Sequence, residues 1–269
     1  MQGINKIEVI KSKEKNVSRE VRVYLQGIEE PVIIGINKNN QIVKYKNENI
    51  TNIGDKFLVY NESLTQLELP NLTQVGDDFL WNNKGLTKLE LPNLTQVGDW
   101  FLVENTNLSH LELPNLTQVG DDFLYYNTNL SHLELPNLTQ VGDAFLYYNR
   151  NLSHLELPNL TQVGDNFLYY NKNLSHLELP NLTQVGDLFL VKNKNLSHLE
   201  LPMLPEIERK FSDIIQKNKR IQRDNITPKD IAELDRNEGI STSDTIAACN
   251  ILNNILEDKQ IESSKEKDN

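Results

Sequence analysis

The chain has 269 residues, a formal net charge of -11, 38% hydrophobic residues and one cysteine, Cys249. A single cysteine excludes an intrachain disulfide and leaves the redox compartment open. The acidic excess is concentrated, with fifteen acidic against six basic side chains between residues 64 and 195, so a phosphate backbone is a poor partner and no nucleic acid is expected.

Residues 1–41 read as a β cap. Lys6 to Ile10 and Arg19 to Leu25 alternate as strands do, and Pro31 to Ile36 and Gln41 to Val43, joined by an Asn/Lys turn, read as a hairpin. The segment after Met1 lacks an apolar core of the kind a secretory leader carries, which predicts a cytoplasmic location. Export by a non-classical or effector route is the alternative. No apolar run reaches the roughly 18 residues of a membrane span, so no membrane insertion is expected. The Asn- and Lys-rich, Ala-poor composition points to an AT-rich bacterial gene.

From residue 42 to 204 one pattern dominates. Seven prolines, Pro70, Pro92, Pro114, Pro136, Pro158, Pro180 and Pro202, stand 22 residues apart within L-S-H-L-E-L-P-N-L-T-Q-V-G-D-x-F-L-Y-Y-N. Such a period defines one small unit stacked on copies of itself, because no single copy buries its own apolar face. The first coil is degenerate, with Glu48 in the proline position. Six full coils begin at Leu64, Leu86, Leu108, Leu130, Leu152 and Leu174, and a half coil ends the series.

Within the coil 108–129, Leu108, Leu111 and Leu113 point inward from a short strand that Pro114 ends. Gly120 is expected to allow a positive-φ turn. Asp121 is then expected to cap a short helical turn that sends Phe123 and Leu124 inward. Asn127 recurs in every coil and is expected to form a buried amide ladder that satisfies loop backbone groups.

Residues 205–256 read as a helical cap. Ile207, Phe211, Ile214 and Ile215 share one face of its first helix, Thr227-Pro228 opens a second, and Ser241 or Ser243 a third. The loop 235–244 falls two residues short of a calcium-binding loop, and Cys249 reads as a small buried hydrophobe. Residues 257–269 are charged and read as a disordered tail.

Two sets of surface residues stand out. All five histidines, His110, His132, His154, His176 and His198, share one column, and two positions on lie Glu112, Glu134, Glu156, Glu178 and Glu200. On the concave strand face this makes a strip open in principle to proton or metal binding, but repetition of one exposed pair is the favoured reading, because a ladder lacks the converging geometry a metal site needs. No specific metal site and no cofactor are expected. On the opposite side Tyr125, Tyr147 and Tyr169 form one column, Tyr126, Tyr148 and Tyr170 another, with Trp81 and Trp100 nearby. One tyrosine column is expected to pack inward and the other to meet a partner protein, since Tyr and Trp dominate interface energetics. The Asn-x-Ser/Thr triplets in each coil are by-products of the repeat.

The spacing of Pro114, Gly120, Phe123 and Asn127 with their equivalents resembles the BspA-type bacterial leucine-rich repeat. The chain departs from that pattern at Asn127, where the family often has Cys. It departs again at Trp100, Asp122 and Asn166, where the family usually has Ala and where Ala144 keeps it. The resemblance implies an α/β leucine-rich repeat solenoid with strands on the concave face and a short helical turn opposite. It also implies a binding or adhesion module without chemistry of its own, so no enzyme is expected. The expected function is protein–protein interaction through the exposed faces. A structural or adhesive spacer and a pH- or metal-responsive binder are the other readings.

Overall fold

The computed structural model describes residues 4–213. The expected second and third helices, the 235–244 loop, Cys249, Ile214, Ile215 and the charged tail lie outside them.

Alternating apolar residues build four antiparallel strands at the N-terminal end: β1 (Ile4–Lys11), β2 (Arg19–Leu25), β3 (Val32–Ile36) and β4 (Ile42–Lys46). β4 also pairs in parallel with Gln66–Glu68, so the meander runs directly into the repeat. Lys44 is buried beneath it, and its ammonium meets Glu14 Oε1 at 2.7 Å.

The repeat is a parallel solenoid. Each full coil starts with a three-residue strand such as His132–Glu134, whose central leucine is buried while its neighbours face solvent. Most coils add a two-residue strand such as Gln140–Val141. Partners are always the same position one coil away, as His132 with His154 and Val119 with Val141. Alike residues therefore stack on alike. Leucines and valines fill the interior, and Phe57, Phe79, Phe101, Phe123, Phe145, Phe167 and Phe189 stack with ring centroids 5.3–5.6 Å apart. This continuous core is the main stabilising term, since each buried Leu or Phe contributes about 1.5–3 kcal/mol.

The segment expected to be a helical turn is not helical. In residues 121–126 every second residue is left-handed: Asp122 at φ 54°, Leu124 at 56° and Tyr126 at 64°. The same three positions are left-handed in all seven coils. The alternation turns successive N–H groups toward opposite neighbours. Asp122 and Tyr126 donate forward to the carbonyls of Asp143 and Tyr147, and Leu124 donates back to Phe101. A third ladder thus runs along the solenoid. Left-handed backbone costs about 1–2 kcal/mol for a residue with a Cβ. Hydrogen bonds between coils and burial of Phe123 and Leu124 offset that cost.

Gly120 serves closeness rather than a positive φ. A Cβ there would overlap Asp99 Oδ1 and stand 2.8 Å from backbone atoms of residues 98 and 99. The space is occupied because Asp99 Oδ1 accepts the N–H of Asp121 at 2.8 Å. Asp121 in turn accepts from Asp143 at 2.8 Å. The aspartates therefore bridge coils and do not cap helices.

The buried amide ladder forms as expected. Asn149 Nδ2 donates to the carbonyls of Leu124 and Tyr147, and its Oδ1 accepts from the N–H of Asn127. The asparagines that follow Pro70 through Pro180 form a second, exposed ladder, with Asn137 Nδ2 donating to the Pro114 carbonyl at 2.8 Å. This gives the Asn of each Asn-Leu-Thr triplet a structural reason to recur. Residues 205–213 form a helix that closes the last coil, with Ile207 and Phe211 in the core and Glu208 accepting from the Leu201 N–H.

Candidate functional site

The left-handed segment decides where the tyrosines go. It alternates Phe123 and Leu124 inward with Tyr125 and Tyr126 at the rim, and neither tyrosine column is fully buried. The expectation that one column packs inside is corrected: both are half-buried. The reason is lateral packing, since each ring finds its copy in the next coil before it reaches the core. Tyr125, Tyr147 and Tyr169 stack at 5.0 and 4.6 Å, and Tyr126, Tyr148 and Tyr170 at 5.7 and 4.4 Å. Contacts between columns, such as Tyr147 with Tyr148 at 5.1 Å, join them into one plate of six rings.

Cations border this plate. The Arg150 guanidinium lies 5.9, 5.0 and 5.3 Å from the ring centroids of Tyr126, Tyr148 and Tyr170. Lys172 stands 4.5 Å from Tyr170, and Lys192 lies 5.8 Å from Tyr169. Such pairs are worth about 0.5–1 kcal/mol at an exposed site. Burial, then the neighbouring rings of Tyr169, Tyr125 and Tyr148, push the Tyr147 phenol up to about 12. Burial, then the carboxylates of Asp121, Asp99 and Asp143, raise the pKa of Asp122 beside the plate.

The tyrosine shift has a direct consequence. The folded pKa of Tyr147 exceeds the ordinary value of 10.0, so its contribution to stability is complete below pH 10.0 and lost as pH rises through about 12. A spectrophotometric phenolate titration should therefore lose part of its late-ionising component in Tyr147→Phe, the remainder belonging to Tyr125, whose pKa burial also raises. Loss of a component that ionises near 10 instead would show the ring to be solvated.

Trp81 and Trp100 form a separate cluster. Their rings lie 5.4 Å apart, and Tyr60 packs on Trp81 at 5.2 Å. Val103 is buried and Glu104 half-buried where the intervening coil would otherwise continue the aromatic columns. Tyr60 was missed in the sequence, although it stands three repeat lengths before Tyr126. Lys192 was missed as well, and the same alignment places it in register with Tyr170.

The His/Glu strip lies on the first strands, as its alternation requires. The glutamates are exposed, as are His110, His132 and His176, while His154 and His198 are half-buried. His110 Nε2 lies 2.8 Å from Glu112 and 3.6 Å from Glu90. His154 and His198 approach Glu156 and Glu200 at 3.1 and 3.0 Å. His132 and His176 instead place Nδ1 beside Ser131 and Ser175 Oγ, at 3.2 and 2.9 Å.

An open parallel solenoid with ordered surface columns is the class of protein this architecture defines. The profile of the BspA type leucine rich repeat region matches residues 37–148 and 101–216, in six copies, and the chain belongs to this family. A leucine rich cell surface protein from Faecalibacterium prausnitzii A2-165 is similar in structure, with a TM-score of 0.52 and 18% identity over 62% of this chain and 52% of that one. The match thus spans about half the length of that protein. A leucine-rich repeat protein from Bacteroides ovatus ATCC 8483 matches at a TM-score of 0.37 and 18% identity, covering 60% of this chain and 55% of that one. No curated protein matches the chain. Leucine-rich repeat proteins of this kind are generally protein-interaction or adhesion modules and typically not enzymes. No helix among the described residues is long and apolar enough to cross a membrane.

Proposed function

We propose that the chain is a non-catalytic protein-interaction module that engages its partner through the tyrosine plate. The observation that carries this reading is the plate itself. Six half-buried rings on three successive coils present a broad aromatic surface on rigid backbone, edged by Arg150 and Lys172. Rigid aromatic and guanidinium groups lose little entropy on contact and recur among the residues that dominate binding energies. The cationic edge suits a partner segment that carries carboxylates.

Combined Tyr126→Ala, Tyr148→Ala and Tyr170→Ala substitutions test this. These side chains lie at the rim of the fold, so circular dichroism should stay close to wild type while the denaturation midpoint falls modestly through lost ring stacking. Affinity for a partner identified with the wild-type chain should fall at least about 100-fold, the loss of two or more interface anchors. A partner that binds the triple variant as well as wild type moves recognition to the opposite strand face. A wild-type chain that binds none of the proteins of its source cell supports the spacer reading.

A further inference from the structure

The strand face repeats every 22 residues in sequence but every two coils in structure. Register pairing joins Lys88–Glu90 to His110–Glu112, His132–Glu134 to His154–Glu156, and His176–Glu178 to His198–Glu200. Backbone bonds close each pair at both ends, with Ser153 N–H donating to the Ser131 carbonyl and Leu135 N–H to the Glu156 carbonyl. A shallow groove of about 520 Å³ separates the second and third pairs, lined among others by His154, Glu156, His176 and Glu178.

The side chains follow the same doubling. In each pair the histidine of the second strand turns Nε2 to its own glutamate, and the first strand's glutamate lies nearby. The three sets are Glu90, His110 and Glu112; Glu134, His154 and Glu156; and Glu178, His198 and Glu200. Within each set the ligand atoms all lie within 4.8 Å of one another. The histidine on the first strand of the second and third pairs turns to serine instead and packs its ring on the next imidazole at 5.2 or 5.3 Å.

We infer that each of these three strand pairs is a chelating site for a divalent transition-metal ion such as zinc, held by one imidazole and two carboxylates, giving three such sites among the described residues. One nitrogen and two oxygens are ligands such ions accept, and they leave a position for water. Ligand atoms on a tetrahedral ion with bonds of about 2.0 Å stand about 3.3 Å apart. The His–Glu distances of 2.8, 3.1 and 3.0 Å are near that value, and rotation of one exposed carboxylate brings in the third ligand. The ion also offsets the mutual repulsion of the glutamate column. This inference is independent of the tyrosine plate, which lies on the segment opposite.

The sites are not equal. In the first, Lys88 is ion-paired to Glu90, so an ammonium group must be displaced before a metal ion can enter. Histidine occupies the corresponding position in the other two pairs.

Isothermal titration of the chelator-stripped full chain with zinc chloride near neutral pH tests the inference. Two equivalent sites and a third at least about tenfold weaker are expected. His154→Gln with His198→Gln should remove the two stronger sites. His132→Gln with His176→Gln should leave all three, and Lys88→Gln should raise the affinity of the weakest. Circular dichroism checks that each variant is folded. Lack of saturable binding in the wild-type chain, or equal losses from the two histidine double variants, would overturn the inference. The second result would show a diffuse imidazole surface.

Discussion

Gly142→Ala is expected to destabilise the solenoid by about 3–5 kcal/mol, combining an overpacking term with the loss of a hydrogen bond to a charged acceptor. The added Cβ would overlap Asp121 Oδ1 and stand 2.8 Å from the Gly120 carbonyl carbon and 2.9 Å from the Asp121 nitrogen. Asp121 would have to leave the N–H of Asp143, which it holds at 2.8 Å. Removing the carboxylate as well, in Asp121→Ala with Gly142→Ala, should restore only part of the stability, because the backbone contacts remain. Gly54→Ala is the internal control: it lies in the first coil, where nothing stands within 4 Å of an added Cβ. Urea denaturation of the three variants checks this ordering. Equal losses at Gly54 and Gly142 would show that the interlock between coils does not limit stability.

Phe145→Ala is expected to cost about 3–5 kcal/mol, the usual range for deleting a buried ring. Phe145 is fully buried and sandwiched between Phe123 and Phe167 at 5.3 and 5.5 Å, so its neighbours on both sides lose contact and the rigid coils cannot close the gap. Phe57 heads the same stack but is only half-buried. Its truncation should cost less, since a terminal unit has fewer contacts to lose. Denaturation midpoints that fall equally for the two would contradict a stack governed by nearest neighbours.

The architecture was legible because its causes are periodic. Prolines, leucines and phenylalanines at fixed offsets specify a stacked core, and the recurrence of Asn127 specifies a buried partner for loop backbone groups. The segment 121–126 was not legible, because local propensity argues against it. Asp122, Leu124 and Tyr126 all prefer right-handed backbone, and only the ladder to neighbouring coils holds them left-handed. Gly120 was noticed for the wrong property, since its missing Cβ matters more than its freedom in φ. The columns at Tyr125 and Tyr126 were visible, but not that rings stacked on their own copies would leave both at the rim. The pairing of strands could not be read at all. His132 and His154 sit in the same local sequence, and their difference arises only when the coils assemble.

The interlock between Asp121 and Gly142 also constrains how the molecule can change in length. Each coil supplies the acceptor for the next and the vacancy for the one before, 22 positions away. Adding or deleting one whole unit recreates both halves at the new junction, so it introduces no defect. A length change of any other size breaks the register at one junction, setting leucine toward solvent and aspartate against backbone there unless a surface loop absorbs it. The solenoid is therefore a ruler with a fixed graduation of about 4.8 Å, the spacing of adjacent strands. Duplication can set the distance between whatever its two ends hold without altering the face between them.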